Sequence, residues 1–147
     1  MTDHILKKHK KNLLLYHIVF PAKYRRKVFT EQVEQTLMEI CQGISDRYEI
    51  HFIEIGADEN HVHFLVQSVP VKSPTGIVRV IKSITSREIF KSHPEVKEIV
   101  WGGHFWTSGY YITTVGSMGN EQLIREYVKK QGLSYKQIYL GQLSLFE

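Results

Sequence analysis

Cysteine is almost absent from this 147-residue chain, and Cys41 is the single one. An internal disulfide is therefore excluded, and a structural zinc site built on several thiolates has no ligands to draw on. Such cysteine usage matches a reducing compartment. No run approaches the roughly 20 apolar residues that a membrane-spanning helix requires. Leu13-Leu14-Leu15 is also too short for a signal-peptide core and runs straight into Tyr16-His17. The expectation is a cytoplasmic protein with no membrane partner. Internal repeats and low-complexity linkers are lacking too, which argues against a solenoid and leaves one domain over residues 1–147. Acidic residues are in deficit, 15 against 19 Lys and Arg, for a net charge of +4. That balance suits a polyanion partner.

What is present is an ordinary globular composition, 42% hydrophobic and 23% charged. Residues 13–20 are apolar and rich in β-formers, so they read as a buried strand stopped by Pro21. Thr30 caps an expected helix whose apolar positions Val33, Leu37, Ile40, Cys41 and Ile44 keep helical spacing. Cys41 on that stripe is a small core residue. Residues 48–55 read as a second strand, 56–60 as a turn and 61–69 as a third strand, together an antiparallel hairpin. Ser73-Pro74 opens a second helix, with Ile77, Val80, Ile81 and Ile84 as its buried stripe. His93-Pro94 lies in a connection, residues 101–106 form a Gly- and aromatic-rich loop, and 110–115 form a fourth strand. Asn120 caps a last helix that Gly132 stops. The tail from Leu133 is aromatic enough to pack but has no assigned place. The order is an α+β arrangement, β-α-β-β-α-β plus a C-terminal helix. It implies a ferredoxin-like or RNA-recognition-like antiparallel sheet with helices mainly on one face.

Within the third strand lies Asn60-His61-Val62-His63-Phe64-Leu65-Val66. Strand alternation projects His61 and His63 to one face and Val62, Phe64 and Val66 to the other. Two imidazoles side by side are a ligand pair for a divalent ion, although the same spacing suits two half-buried imidazoles with no ion. On the last helix Tyr127 and Gln131 are four apart and share a face. Alone they read first as a boundary aromatic and a solvated helix end, since such pairs are common on amphipathic helices. Joined to the histidines, the Gln131 carbonyl supplies an oxygen ligand. Two imidazoles and an oxygen suit a catalytic ion with open positions; Mg²⁺ or Mn²⁺ is then favoured by function rather than by raw affinity, since imidazole is not a preferred Mg²⁺ ligand. A phenol near such an ion can attack phosphorus and form a phosphotyrosine that conserves the energy of the broken bond. Lys10, Lys23, Arg25, Arg26, Arg79, Lys82 and Arg87 are candidate DNA contacts, with a solvated charged face as the plain alternative.

These residues resemble the single-tyrosine HUH transposases, the TnpA-like enzymes of small insertion sequences that move as single-stranded DNA. HUH denotes His, a hydrophobic residue and His, here His61-Val62-His63. Blocks similar to that family recur in order: Tyr16-His17-Ile18-Val19-Phe20 with Lys23-Tyr24-Arg25-Arg26, the histidine strand, the stretch from Trp101 to Tyr111, and Tyr127-Val128-Lys129-Lys130-Gln131. The resemblance implies an HUH version of the ferredoxin-like sheet with a catalytic C-terminal helix. It implies Tyr127 as nucleophile, His61, His63 and Gln131 as metal ligands, and single-stranded DNA hairpins at the element ends as substrate. It also implies a homodimer whose last helices complete each other's sites. Competing classes are a domesticated relative processing repeated palindromes, a non-catalytic nucleic-acid-binding module, and a metallohydrolase that uses water as nucleophile.

Overall fold

The computed structural model describes residues 14–22, 28–58, 61–100, 104–117 and 136–140. In chain order these contain β1 Leu14–Pro21, α1 Glu31–Tyr48, β2 His51–Ala57, β3 His61–Ser68, α2 Pro74–Ser92, α3 Pro94–Ile99, β4 Tyr111–Ser117 and β5 Lys136–Leu140. The strands form one sheet in the order β4-β1-β3-β2-β5, with every described pair antiparallel. The β-α-β-β-α-β order expected from sequence is therefore present over the first four strands.

Alternation decides which residues meet the helices. Tyr16, Ile18 and Phe20 of β1 join Val62, Phe64 and Val66 of β3 and Phe52, Ile55 and Ala57 of β2 in one buried cluster. From α1 the cluster takes Val33, Leu37, Cys41 and Ile44, and from α2 it takes Ile77, Val78, Ile81 and Ile89. Both long helices thus cover the same side of the sheet. Burying each of the valine, leucine, isoleucine and phenylalanine side chains among them contributes about 1.5–3 kcal/mol before conformational entropy is charged against it. Cys41 sits fully inside, and burial pushes its thiol pKa up, which makes it inert. The stripe of α2 is rotated slightly from the expected one. Val80 and Ile84 pack at its margin, while Val78 and Thr85 are buried.

The caps act as their residue types dictate. The Thr30 hydroxyl accepts from the Val33 N–H at 3.2 Å, and Ser73 Oγ accepts from the Gly76 N–H at 3.0 Å with Pro74 in the first turn. Several boundaries differ from the sequence reading. Tyr48 belongs to α1, one turn beyond Ile44 on the same stripe, and Glu49 closes the helix in the left-handed region at φ 54°. Gly56 and Ala57 extend β2, so the turn shortens, with the Asp58 N–H donating to the His61 carbonyl at 3.0 Å. Pro94 opens the short helix α3, where only a connection was expected. Part of the unassigned tail becomes β5, paired to β2. The expected last helix lies outside the described residues.

Phe105 and Trp106 are core residues. Trp106 meets Phe20 edge-on at 5.0 Å between ring centres, and its indole N–H donates to Thr85 Oγ1 at 2.9 Å. Thr85 passes the interaction on by donating to the Ile81 carbonyl at 2.6 Å. The Thr107 N–H donates to the Pro21 carbonyl at 3.1 Å, which ties the loop to the end of β1.

Candidate active site

His61 and His63 lie on the sheet face opposite the helices, as their alternation with Val62 and Phe64 requires. Both turn toward a single carboxylate. His61 Nδ1–H donates to Asp58 Oδ1 at 3.2 Å, and His63 Nε2–H donates to Asp58 Oδ2 at 3.0 Å. The side chain of His63 is 15% exposed and that of His61 44%, so one imidazole is the inner member and the other sits at the rim.

A third imidazole stands behind them. His17 of β1 packs its ring on His63, 5.4 Å between centres and 16° from parallel, with His17 Nε2 3.2 Å from His63 Nδ1. A carboxylate only accepts, so His63 holds its proton on Nε2, and neutral His63 then accepts from His17 Nε2–H through Nδ1. Burial first, and second the positive charge that His63 carries when it is protonated on both nitrogens, lower the pKa of His17 to about 4. Below pH 6.5 the unfolded chain takes up a proton at this position that the folded chain refuses until about pH 4. Acidification through that window should therefore destabilise the fold. Thermal melts should show a smaller loss of Tm between those pH values in His17→Gln than in the wild type. Equal losses would show that His17 does not titrate differently in the two states.

Nitrogen and oxygen donors of this kind suit a divalent ion. At 3.0 and 3.2 Å these atoms are hydrogen-bonded to one another, and two imidazoles with a carboxylate are the donor types that would hold such an ion. Among the described residues, however, no group of three or more such side chains forms a ready metal cluster. Tyr127 and Gln131 lie outside the described residues, as do Lys10, Lys23, Arg25, Arg26 and Trp101. Sequence reasoning missed Asp58 and His17. The spacing of Asp58, three before His61 at a hairpin turn, was the available signal. His17 stands in the first of the family-like blocks, but its place beside His63 had no local signal, because only strand pairing brings the two together.

The three basic candidates on α2 lie on the other side of the sheet. Arg79 and Arg87 are exposed, and Arg87 also pairs with Glu88 at 3.4 Å. Lys82 is engaged with its own fold. Its Nζ donates to the Gly109 carbonyl at 2.7 Å and lies 5.3 Å from the centre of the Phe20 ring, and burial lowers its pKa.

With the histidine pair placed on such a sheet, the comparisons with known proteins become informative. The sequence pattern of the family described as IS200-like transposases matches residues 10–131. The chain belongs to the IS200-like transposases. It is 30% identical over 118 residues to the ISDra2 transposase TnpA of Deinococcus radiodurans, covering 80% of this chain and 84% of that protein. With the transposase for insertion sequence element IS200 of Salmonella typhimurium it shares 28% identity over 116 residues, 79% of this chain and 75% of the relative. The fold is similar to that of a Deinococcus radiodurans transposase known from a crystal structure, with a TM-score of 0.62 at 24% identity over 81% of this chain and 91% of the other. As an IS200-like transposase the chain acts on DNA at insertion sequences, in a family that generally uses a divalent metal. Among the described residues no helix is long and apolar enough to cross a membrane.

Proposed function

We propose that this IS200-like transposase cuts and rejoins single-stranded DNA at hairpin-marked element ends through Tyr127. The phenolic oxygen attacks phosphorus, the bond from phosphorus to O3′ breaks, and the 3′-hydroxyl leaves with a proton. Tyr127 keeps the 5′ phosphate as a phosphotyrosine. Rejoining runs the same step backward, as a 3′-hydroxyl displaces the phenol, so no nucleotide cofactor is consumed. A phenol of pKa near ~10 ionises at neutral pH only beside a base or a cation.

His61, His63 and Gln131, joined by Asp58, would hold Mg²⁺ or Mn²⁺. Bound there, such an ion polarises the phosphodiester and stabilises the charge that develops on its oxygens. To offer Nε2 as a ligand, His63 carries its proton on Nδ1 and donates it to His17 Nε2. A neutral His17 can accept that bond, so His17 orients the inner ligand. The enzyme works as a homodimer in which the last helix of one subunit serves the histidines of the other. Lys10, Lys23, Arg25, Arg26, Arg79 and Arg87 are candidates for backbone contacts.

The observation that carries this reading is the convergence of His61 and His63 on the Asp58 carboxylate. Its test uses single-stranded oligonucleotides tiled across the DNA that flanks the gene, incubated with the protein and Mn²⁺ or Mg²⁺. A protein–DNA adduct that survives denaturing electrophoresis is expected, and a chelator should abolish it. Cleavage with no adduct would point to water as nucleophile, and binding with neither cleavage nor adduct to a non-catalytic module. Either result overturns the proposal.

A further inference from the structure

Strand register places one more residue on the active-site face. Val19 of β1 pairs with His63 on one side and with Tyr111 of β4 on the other. Directly paired residues share a face, so Tyr111, Val19 and His63 form a single row across three strands. Two strand spacings put the backbone of Tyr111 about 10 Å from that of His63. The Tyr111 side chain is 59% exposed, and the short Val19 between them leaves the path along the row low.

The other aromatics near this segment are committed elsewhere. Phe105 and Trp106 are buried in the core. Tyr110 lies toward the helix side, where Lys82 Nζ is 5.9 Å from its ring centre. Among the described residues Tyr111 is thus the exposed large aromatic on the face that carries the histidines. Aromatic rings presented beside a single strand hold it by base stacking, which tolerates any base.

We propose that Tyr111 is a positioning residue of the transposase, a platform on which a base a few nucleotides from the cleaved phosphodiester stacks. The proposal rests on the single-strand reading above. Stacking there fixes the direction in which the strand leaves the histidine pair and so the approach of its phosphorus to the nucleophile.

Short single-stranded oligonucleotides carrying 5-iododeoxyuridine, drawn from the same flanking DNA, test it in the presence of a chelator so that they stay uncut. Ultraviolet crosslinking to the wild-type protein, read by peptide mass spectrometry, should place the crosslink on Tyr111. In fluorescence anisotropy Tyr111→Ala should weaken single-strand binding by about five- to a hundredfold, and Tyr111→Leu should be similarly weak. Tyr111→Trp should restore it, at an unchanged melting temperature. Crosslinks confined to other residues, or wild-type affinity in both Tyr111→Ala and Tyr111→Leu, would overturn the proposal. So would an altered monomer–dimer equilibrium with unchanged DNA affinity, which would assign the ring to a subunit contact. If Tyr111 is silent while the wild type still forms its covalent adduct, only this inference falls. If the wild type binds no single strand at all, it falls together with the proposed function.

Discussion

Tyr127→Phe protein should form no covalent adduct with single-stranded DNA, because phenylalanine has no oxygen to offer phosphorus. His61→Ala should form it about a hundredfold more slowly or worse, since half of the imidazole pair is gone. An equimolar mixture of the two should nevertheless work. If each site combines the histidines of one subunit with the tyrosine of the other, random exchange makes half the dimers mixed. Each mixed dimer has one intact site out of two, so about a quarter of the wild-type sites return. Denaturing electrophoresis of the mixture with labelled oligonucleotide reads this directly. A mixture as inactive as its components, with subunit exchange demonstrated independently, would show that each subunit carries a self-contained site.

The second large effect is on folding. Trp106→Ala should cost about 3–5 kcal/mol, a large part of the stability of a domain of this size, measured as a lower midpoint in urea denaturation. The indole fills the space between Phe20, Phe64 and Phe29, and its N–H is bonded to buried Thr85. Removal leaves both a void and a hydroxyl that has lost its donor. Phe20 and Phe64 lie on β1 and β3, the strands that also carry His17 and the histidine pair on their opposite face. The loop therefore supports the site from behind without touching it. Trp106→Phe, which keeps most of the ring and loses only the N–H bond, should cost less. Equal losses in the two variants would mean that the hydrogen bond, and not the filled volume, holds the loop.

Local pattern made much of the fold legible. His61 and His63 share a face because a strand has a period of two, and the stripe from Val33 to Ile44 has a helical one. Thr30 and Ser73 were readable as caps because a hydroxyl before an apolar-periodic run has few other uses. What was not legible depended on partners distant in sequence. His17 became a neighbour of His63 only through the pairing of β1 with β3. Asp58 read as a generic turn residue, since its identity fits a turn as well as it fits a pair of imidazoles. Phe105 and Trp106 carried no period at all, and an aromatic loop can serve a ligand or a core. Tyr48 was misplaced because an aromatic favours strands by propensity, while its spacing from Ile44 continued the helix. The same limit applied to the tail, where a five-residue strand such as β5 signals nothing until the strand beside it is known.

That fifth strand has a consequence for behaviour in a crowded solution. A bare edge of β2 would present a row of unsatisfied amide and carbonyl groups to any passing chain, the template from which runaway strand addition begins. In this protein the outer side of residues 54–57 is already taken by 136–140 of the same polypeptide. A chain shortened before Lys136 would keep His17, Asp58, His61, His63, Tyr111, Tyr127 and Gln131, and so the whole of the proposed site. Its weakness would be colloidal, because the seven-residue β2 would replace the five-residue β5 at the border of the sheet and leave a longer edge to pair, so inactivity in such a truncation would say more about clumping than about catalysis.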